Sequence, residues 1–348
     1  MNPCPTKKVS GWTNSGLITI GFILLSLMST TSAQTIKLAT IVPEGSSWMD
    51  SMRAGATEIK ERTEGRVKFK FYGGGVQGND KQVQRKMRTG QLHGGAFTSG
   101  AMNRFQKDAD LFSMPMIFDS IDEVRHVRKV MDGEIRQRLE DAGYVNFGFA
   151  GAGFAYMMSN QPLVTLSDLK GQKVWIPEGD PIGFAALQAL GVAPVIMPVT
   201  DVMTGLQTDL LDSVTVPPVG ALVFQWHTRL KFVTELPIAY VYAALLIDER
   251  AFSKISEADQ KIVREVMEGT YRKFDQNGVR ENSDALVALL GNGLQLVVPD
   301  TSQVNEWRSI VNDSSRTQAG NGVFDITLLN QMQGLVDAYR NGTAVGSE

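Results

Sequence analysis

Few side chains in this chain have the types and spacing to make or break a bond. The three histidines, His93, His126 and His227, lie far apart, and none stands in the His-x-x-x-His or Glu-x-x-His pattern that places two zinc ligands on one helix face. Ser99, within Thr98-Ser99-Gly100, lacks the Gly-x-Ser-x-Gly turn that exposes a nucleophile, and no histidine is assignable as its base. The run Gly73-Gly74-Gly75-Val76-Gln77-Gly78 looks like a phosphate cradle, but no Gly-Lys-Ser/Thr follows it. It also comes after the second expected strand, where a dinucleotide fingerprint would follow the first, so it reads as a turn into a helix. The carboxylate pairs Glu178 with Asp180 and Asp209 with Asp212 would serve acid and base chemistry only if buried together, whereas such pairs are ordinarily solvated loop or cap residues. The expectation is therefore a protein that is not an enzyme and uses no cofactor and no metal. A different feature points to binding: Phe154, Tyr156, Trp175, Trp226, Tyr240 and Tyr242 fall mainly in or near the expected crossing segments and second lobe, as core or as ligand wall.

These residues need a large scaffold. A chain of 348 residues exceeds what one compact core usually holds, and 43% apolar with 20% charged residues is ordinary globular composition, so two lobes or one large α/β unit is expected. Thirty-four basic against thirty-seven acidic residues give a net charge of -3, without the basic excess that tracking a phosphate backbone demands, so nucleic acid is not an expected partner. Lys7 and Lys8, the apolar run Leu17 to Met28 and the small residues Thr31, Ser32 and Ala33 follow the order of a secretory signal, with cleavage placed after Ala33. The run is shorter than the roughly 20 residues that span a bilayer. The only cysteine, Cys4, lies in this leader, so the exported chain has no disulfide and no thiolate chemistry.

Ile36 to Thr40 and Val67 to Phe71 alternate as strands. Between them Trp48, Met52, Ala56 and Ile59 repeat at helical spacing, with Ser46 or Ser47 as N-cap and Gly65 as stop. This βαβ unit predicts parallel strands and a right-handed crossover. A helix at Asp80 to Thr89, a strand at Gly94 to Thr98 and a helix at Ile121 to Asp141 continue the first lobe. Tyr144 to Met158 leaves it. Strands at Val174 to Ile176, Val192 to Met197 and Leu211 to Val216, with helices at Ile182 to Leu190 and Thr200 to Thr208, form a second α/β lobe. Ile238 to Ile247 returns as a buried strand, and Glu249 to Leu290 reads as one long helix across both lobes. Two lobes joined by more than one crossing strand make a hinged cleft, the geometry of an extracytoplasmic solute receptor and equally of a two-domain enzyme.

The order of local motifs resembles the solute-binding subunits of tripartite ATP-independent periplasmic (TRAP) transporters, the DctP family. The resemblance is carried by IKLATIVPEGSSW (Ile36 to Trp48), GRVKFKFYGGGVQGND (Gly65 to Asp80), LFSMPMIFDS (Leu111 to Ser120), LSDLKGQKVWIPEGD (Leu166 to Asp180), ALGVAPVIMPVTDVMTGLQTDLLD (Ala189 to Asp212) and FSKISEADQKIV (Phe252 to Val263). It implies an α/β, two-lobe periplasmic solute-binding fold with a ligand cleft between the lobes, no catalysis, and delivery of a small-molecule solute to TRAP-type membrane permease subunits. The expected division is a signal peptide at 1–33, lobe I at 34–156 with 245–290, lobe II at 157–244 with 291–340, and a flexible tail at 341–348.

The departures from the family matter as much. An arginine that the resemblance places in the strand after Leu169-Lys170-Gly171 is Trp175 here, a second before Ser159-Asn160 is absent, and a family asparagine aligns roughly with Val216. A buried carboxylate without a cation costs several kcal/mol, so these changes predict a solute with substantial apolar or aromatic surface. A quaternary ammonium solute is a narrower form of the same expectation, since indole faces attract cations and Glu178 would supply countercharge. The alternatives are an organic-acid receptor in which Arg104 has taken over the carboxylate, or a subunit that presents its ligand to a membrane kinase. The remaining cleft walls are expected at Glu44 and Ser46 after the first strand, Gln77 and Asn79 in the glycine-rich turn, Phe97 and Thr98 ending a first-lobe strand, and Tyr156 and Thr215 from the second lobe.

Overall fold

The structure is a computed structural model that describes residues 33–342. The signal peptide, with Cys4, lies outside the described residues except for Ala33, as does the expected tail beyond Gly342. Among the described residues no helix is long and apolar enough to cross a membrane.

The chain opens as the expected βαβ unit. Strand β1 (Gln34–Thr40) pairs in parallel with β2 (Val67–Tyr72), Gln34 opposite Val67 and Ala39 opposite Tyr72. Helix α1 (Ser47–Arg62) joins them, capped by the Ser46 hydroxyl, which accepts from the Met49 amide at 3.3 Å. Its buried stripe is Met49, Met52, Gly55 and Ile59, while Trp48 and Ala56, expected on its apolar side, are only partly buried and pack against that core. Helix α2 (Asp80–Arg88) starts in a reciprocal capping box between Asn79 and Gln82. Strand β3 (Gly94–Thr98), the one-turn α3 (Ser99–Met102) and the long α4 (Ile121–Asp141), capped by Ser120, follow.

Strand β4 (Tyr144–Asn146) leads into β5 (Ala150–Ser159), which crosses out of the first lobe. The second lobe holds α5 (Leu166–Leu169), β6 (Trp175–Pro177), α6 (Pro181–Ala189), β7 (Val195–Met197), α7 (Val202–Gln207), β8 (Ser213–Val216), α8 (Pro218–Val223) and β9 (Phe232–Thr234). Strand β10 (Ala239–Asp248) returns antiparallel to β5, with an irregularity between Val241 and Tyr242. Its register with β3, Ala243 opposite Thr98 through Ile247 opposite Gly94, ties it into the first lobe. The far half of β5 pairs with β8 and β9, so a single nine-stranded sheet runs through both halves, and β6 and β7 form a separate pair.

The expected helix from Glu249 to Leu290 is two helices. The short α9 (Glu249–Phe252) ends before Ser256, whose hydroxyl accepts from the Asp259 amide and starts α10 (Glu257–Gly291). Ser-x-x-Asp is a cap signal, and it overrides the helix-forming composition around it. Helix α10 packs on α1, β5 and α8 and so touches both halves. A Cβ on Gly278 would stand 1.8 Å from the Gly151 carbonyl oxygen, so only glycine lets α10 lie this close to β5. Strand β11 (Gln295–Val297) and α11 (Thr301–Gly320) follow, α11 packing on α6. The last helix, α12 (Ile326–Arg340), was expected with lobe II but packs on α4, burying Leu328, Leu329, Met332 and Val336 in the first-lobe core.

Candidate functional site

Between the halves lies a cavity of about 360 Å³, within the range of small-molecule sites. Strand ends supply its walls, as in open α/β sheets generally: Thr40, Pro43, Ser46 and Trp48 follow β1, Phe97 to Ser99 end β3, and Trp175 and Asp180 come from β6 and the turn after it. Thr215 to Pro217 end β8, and Phe224 and Trp226 follow α8. The floor is built from small residues of the crossing strands, Ala152 and Ala155 on β5 and Ala239 and Ala243 on β10, which leaves the space that larger side chains would fill.

The aromatic walls are held by their polar edges. Trp175 is 5% exposed, and its Nε1 donates to the Met197 carbonyl at 3.0 Å. Its ring meets Trp226 edge-on at 5.2 Å, and Trp226 in turn stacks on Phe224 at 5.2 Å. Across the cleft Trp48 stacks on Phe274 of α10 at 5.4 Å, while its Nε1 donates to Glu281 at 3.0 Å. With their N–H groups engaged, Trp175 and Trp48 offer apolar faces and edges to the cavity.

Of the expected site residues, the structure brings Ser46, Phe97, Thr98, Trp175 and Thr215 to the cavity wall, and it does not bring the others. Glu44 is turned to solvent in an ion pair with Arg53 at 2.6 Å. Gln77 accepts from Lys86 Nζ at 2.9 Å. Tyr156 packs in the core on β5 rather than lining the space, and burial raises its phenol pKa. Asn79, Glu178 and Arg104 meet instead at the mouth. Asn79 Nδ2 donates to Glu178 Oε2 at 3.3 Å, Lys81 stands 3.6 Å from the same carboxylate, and Arg104 Nη2 donates to the Glu178 main-chain oxygen at 2.7 Å. These contacts reach from the first lobe to the loop after β6 and clasp the halves together. Gly179 makes the clasp possible: its φ is +98°, and a Cβ there would lie 2.3 Å from Arg104 Nη2.

Beneath the clasp two carboxyl groups face each other from opposite halves. Asp180 caps α6, its Oδ1 accepting from the Gly183 amide at 2.8 Å, and burial raises its pKa. Asp110 is 3% exposed, with Oδ1 unpartnered and Oδ2 accepting from Asn103 at 3.0 Å. Burial, and then the neighbouring Asp180, push Asp110 up to about 8. The same Asn103 amide nitrogen donates across the cleft to the Gly179 carbonyl at 2.8 Å. Nearby Asp80 is pushed up to about 6 by burial, against the pull of Arg104.

The groups first weighed for chemistry have structural partners. His93 Nδ1 accepts from the Lys37 amide, His126 packs on Tyr339, and His227 Nδ1 lies 3.1 Å from the Ala221 carbonyl. Ser113 donates to the Tyr240 carbonyl at 2.6 Å and stands 2.6 Å from the Ser99 hydroxyl, with no histidine in that network. Asp212 accepts from the Lys173 amide, and Asp209 sits in a left-handed turn with φ of 55°. Sequence reasoning missed Trp48 and Trp226 as cavity walls and Asp110 and Asn103 beneath the clasp. Trp48 read as the core face of α1, and no motif in the sequence marks Asp110.

Comparison with known proteins gives one family and many relatives. Residues 38–320 match DctP, bacterial extracellular solute-binding protein, family 7. The sialic acid-binding periplasmic protein SiaP of Vibrio cholerae serotype O1 is 22% identical over 296 residues, covering 83% of this chain and 91% of that protein. A TRAP periplasmic solute binding protein from Xanthobacter autotrophicus Py2, solved with bound β-D-galacturonate, has a TM-score of 0.78 at 19% identity, covering 87% of this chain and 99% of that one. Another from Sulfurospirillum deleyianum DSM 6946, solved with bound succinate, has a TM-score of 0.79 at 18% identity, covering 87% and 99% respectively.

Proposed function

This chain belongs to the DctP family of bacterial extracellular solute-binding proteins, and from that premise we propose that it is a periplasmic receptor for a solute with substantial apolar or aromatic surface. It closes its lobes over that solute and hands it to TRAP-type permease subunits. The lobes are 34–156 with 245–290, and 157–244 with the segment that follows 290, except that α12 moves with the first lobe on which it packs.

One observation carries the ligand class: among the described residues lining the cavity there is no lysine, arginine or histidine, while Trp48, Trp175, Trp226 and Phe224 are all present. An aromatic face of ~150–250 Å² withdrawn from water contributes roughly 4–6 kcal/mol as an upper limit, offset by the freedom lost on binding. A carboxylate in the same place loses its hydration and gains no cation, which costs several kcal/mol. Arg104 does not fill that gap, because its guanidinium lies against Gly179 and donates to the Glu178 carbonyl at the mouth.

A second reading is an organic-acid receptor. It is favoured by the solutes of the relatives, sialic acid, β-D-galacturonate and succinate, and here it would rely on uncharged donors, hydroxyls such as Ser46, Thr98 and Thr215 and the main chain at the start of α1. Mass spectrometry of the solute released by denaturing protein purified from its native periplasm separates the two. The proposal expects an unaltered molecule with an aromatic ring or extended hydrocarbon surface; a small polyhydroxylated or dicarboxylic acid establishes the second reading instead.

A further inference from the structure

We propose that the solute carries a protonated amine and that Asp180 is its counterion, an inference that rests on the apolar-solute reading and deepens it. Among the described residues Asp180 is the only charged side chain on the cavity wall. The neighbouring cations are engaged elsewhere: Lys81 pairs with Glu178, and Arg104 donates to the Glu178 carbonyl. No cation is among the groups that shift Asp180, and the acid facing it across the cleft, Asp110, is a like charge rather than a partner. A carboxyl group so placed is costly to ionise in the empty cavity, and a cation delivered by the solute removes that cost.

At two of the helix N-termini that line the cavity the backbone is equally unsuited to an anion. Helix N-termini commonly hold carboxylates through free amides, but at α6 and α8 those amides are missing or taken. Pro181 begins α6 without an N–H, and the Gly183 amide already donates to Asp180. Pro217 and Pro218 open α8 without N–H groups, and the Val219 amide donates to Asn282 at 3.2 Å. The aromatic walls complete the argument, since the faces of indole and phenyl rings attract a cation and repel an anion.

Asp180 is also an N-cap, and asparagine caps a helix as well as aspartate does, so Asp180→Asn removes the charge and keeps the fold. The experiment is calorimetric titration of wild type and D180N with three probes on one ring system, tryptamine, tryptophol and indole-3-acetate, extended to amine, alcohol and acid sets on phenyl and naphthyl skeletons. Circular dichroism and melting temperature check that D180N folds. The inference expects the amine of a set to bind at least ~10-fold more tightly than its alcohol, and D180N to reduce that advantage below ~3-fold while leaving alcohol affinity unchanged. Equal affinities for amine and alcohol, or an amine advantage that survives D180N, overturn the counterion role and leave the apolar-solute reading standing. Preference for the acids, or no binding by any aromatic set in a protein that binds succinate, overturns both.

Discussion

Asp110 is the residue whose energetics the fold disturbs most visibly, because it is buried with one oxygen unpartnered and with Asp180 opposite. An unfolded aspartate titrates near ~4, whereas the folded group is pushed up to about 8. Between those values the native state binds a proton that the unfolded chain lacks, so stability falls as pH rises across that window, by up to ~1.4 kcal/mol per unit. Below the window the group is neutral in both states and the dependence vanishes. Asp110→Asn keeps a neutral group of the same shape that can still accept from Asn103. Melting temperatures measured from pH 3.5 to pH 8.5 should therefore match wild type at the acid end, exceed it by a margin that grows between about pH 4 and about 8, and keep that margin above. Parallel curves for the two proteins would mean that the Asp110 carboxyl ionises without cost.

The elements were legible wherever a local signal decides them, and this is clearest in α1, α2 and α4, each begun by a side-chain cap at Ser46, Asn79 or Ser120. Strand β3 and helix α4 begin and end where the sequence places them, because glycine and serine punctuate both ends. What could not be read is how elements approach one another. The clasp is the example: Asn79, Arg104 and Glu178 looked like cleft walls, and they are near the cleft, but it is the positive φ of Gly179 that lets Arg104 cross over and hold the loop. Gly179→Ala places a methyl group against that guanidinium and weakens closure. The expected result is a ~10-fold loss of affinity for every solute regardless of its charge, with only a small change in the melting temperature of the free protein. Arg104→Ala should lose a similar amount, and the double variant little more, because both remove one contact. A loss confined to carboxylates in Arg104→Ala would instead make Arg104 a ligand residue.

For the whole molecule, the two-lobe plan followed from the alternation of strands and helices, and the crossing segments were found at β5 and β10 because each is a long apolar run. The placement of α12 was not found, since an amphipathic helix does not say which partner it packs on. The cavity sits where the plan requires, roofed by the clasp, floored by alanines and crossed by α10, which spans ~52 Å and braces both halves. Its walls combine four indoles with a single acid and no base among the described residues, and that combination is the claim on which the function rests. The most direct test is a side-by-side titration of the purified, ligand-stripped protein with tryptophol, succinate and β-D-galacturonate at equal ionic strength. Binding by the uncharged aromatic, with no measurable heat from either acid, is the result predicted here. Tight binding of succinate or galacturonate with none of the indole would contradict it.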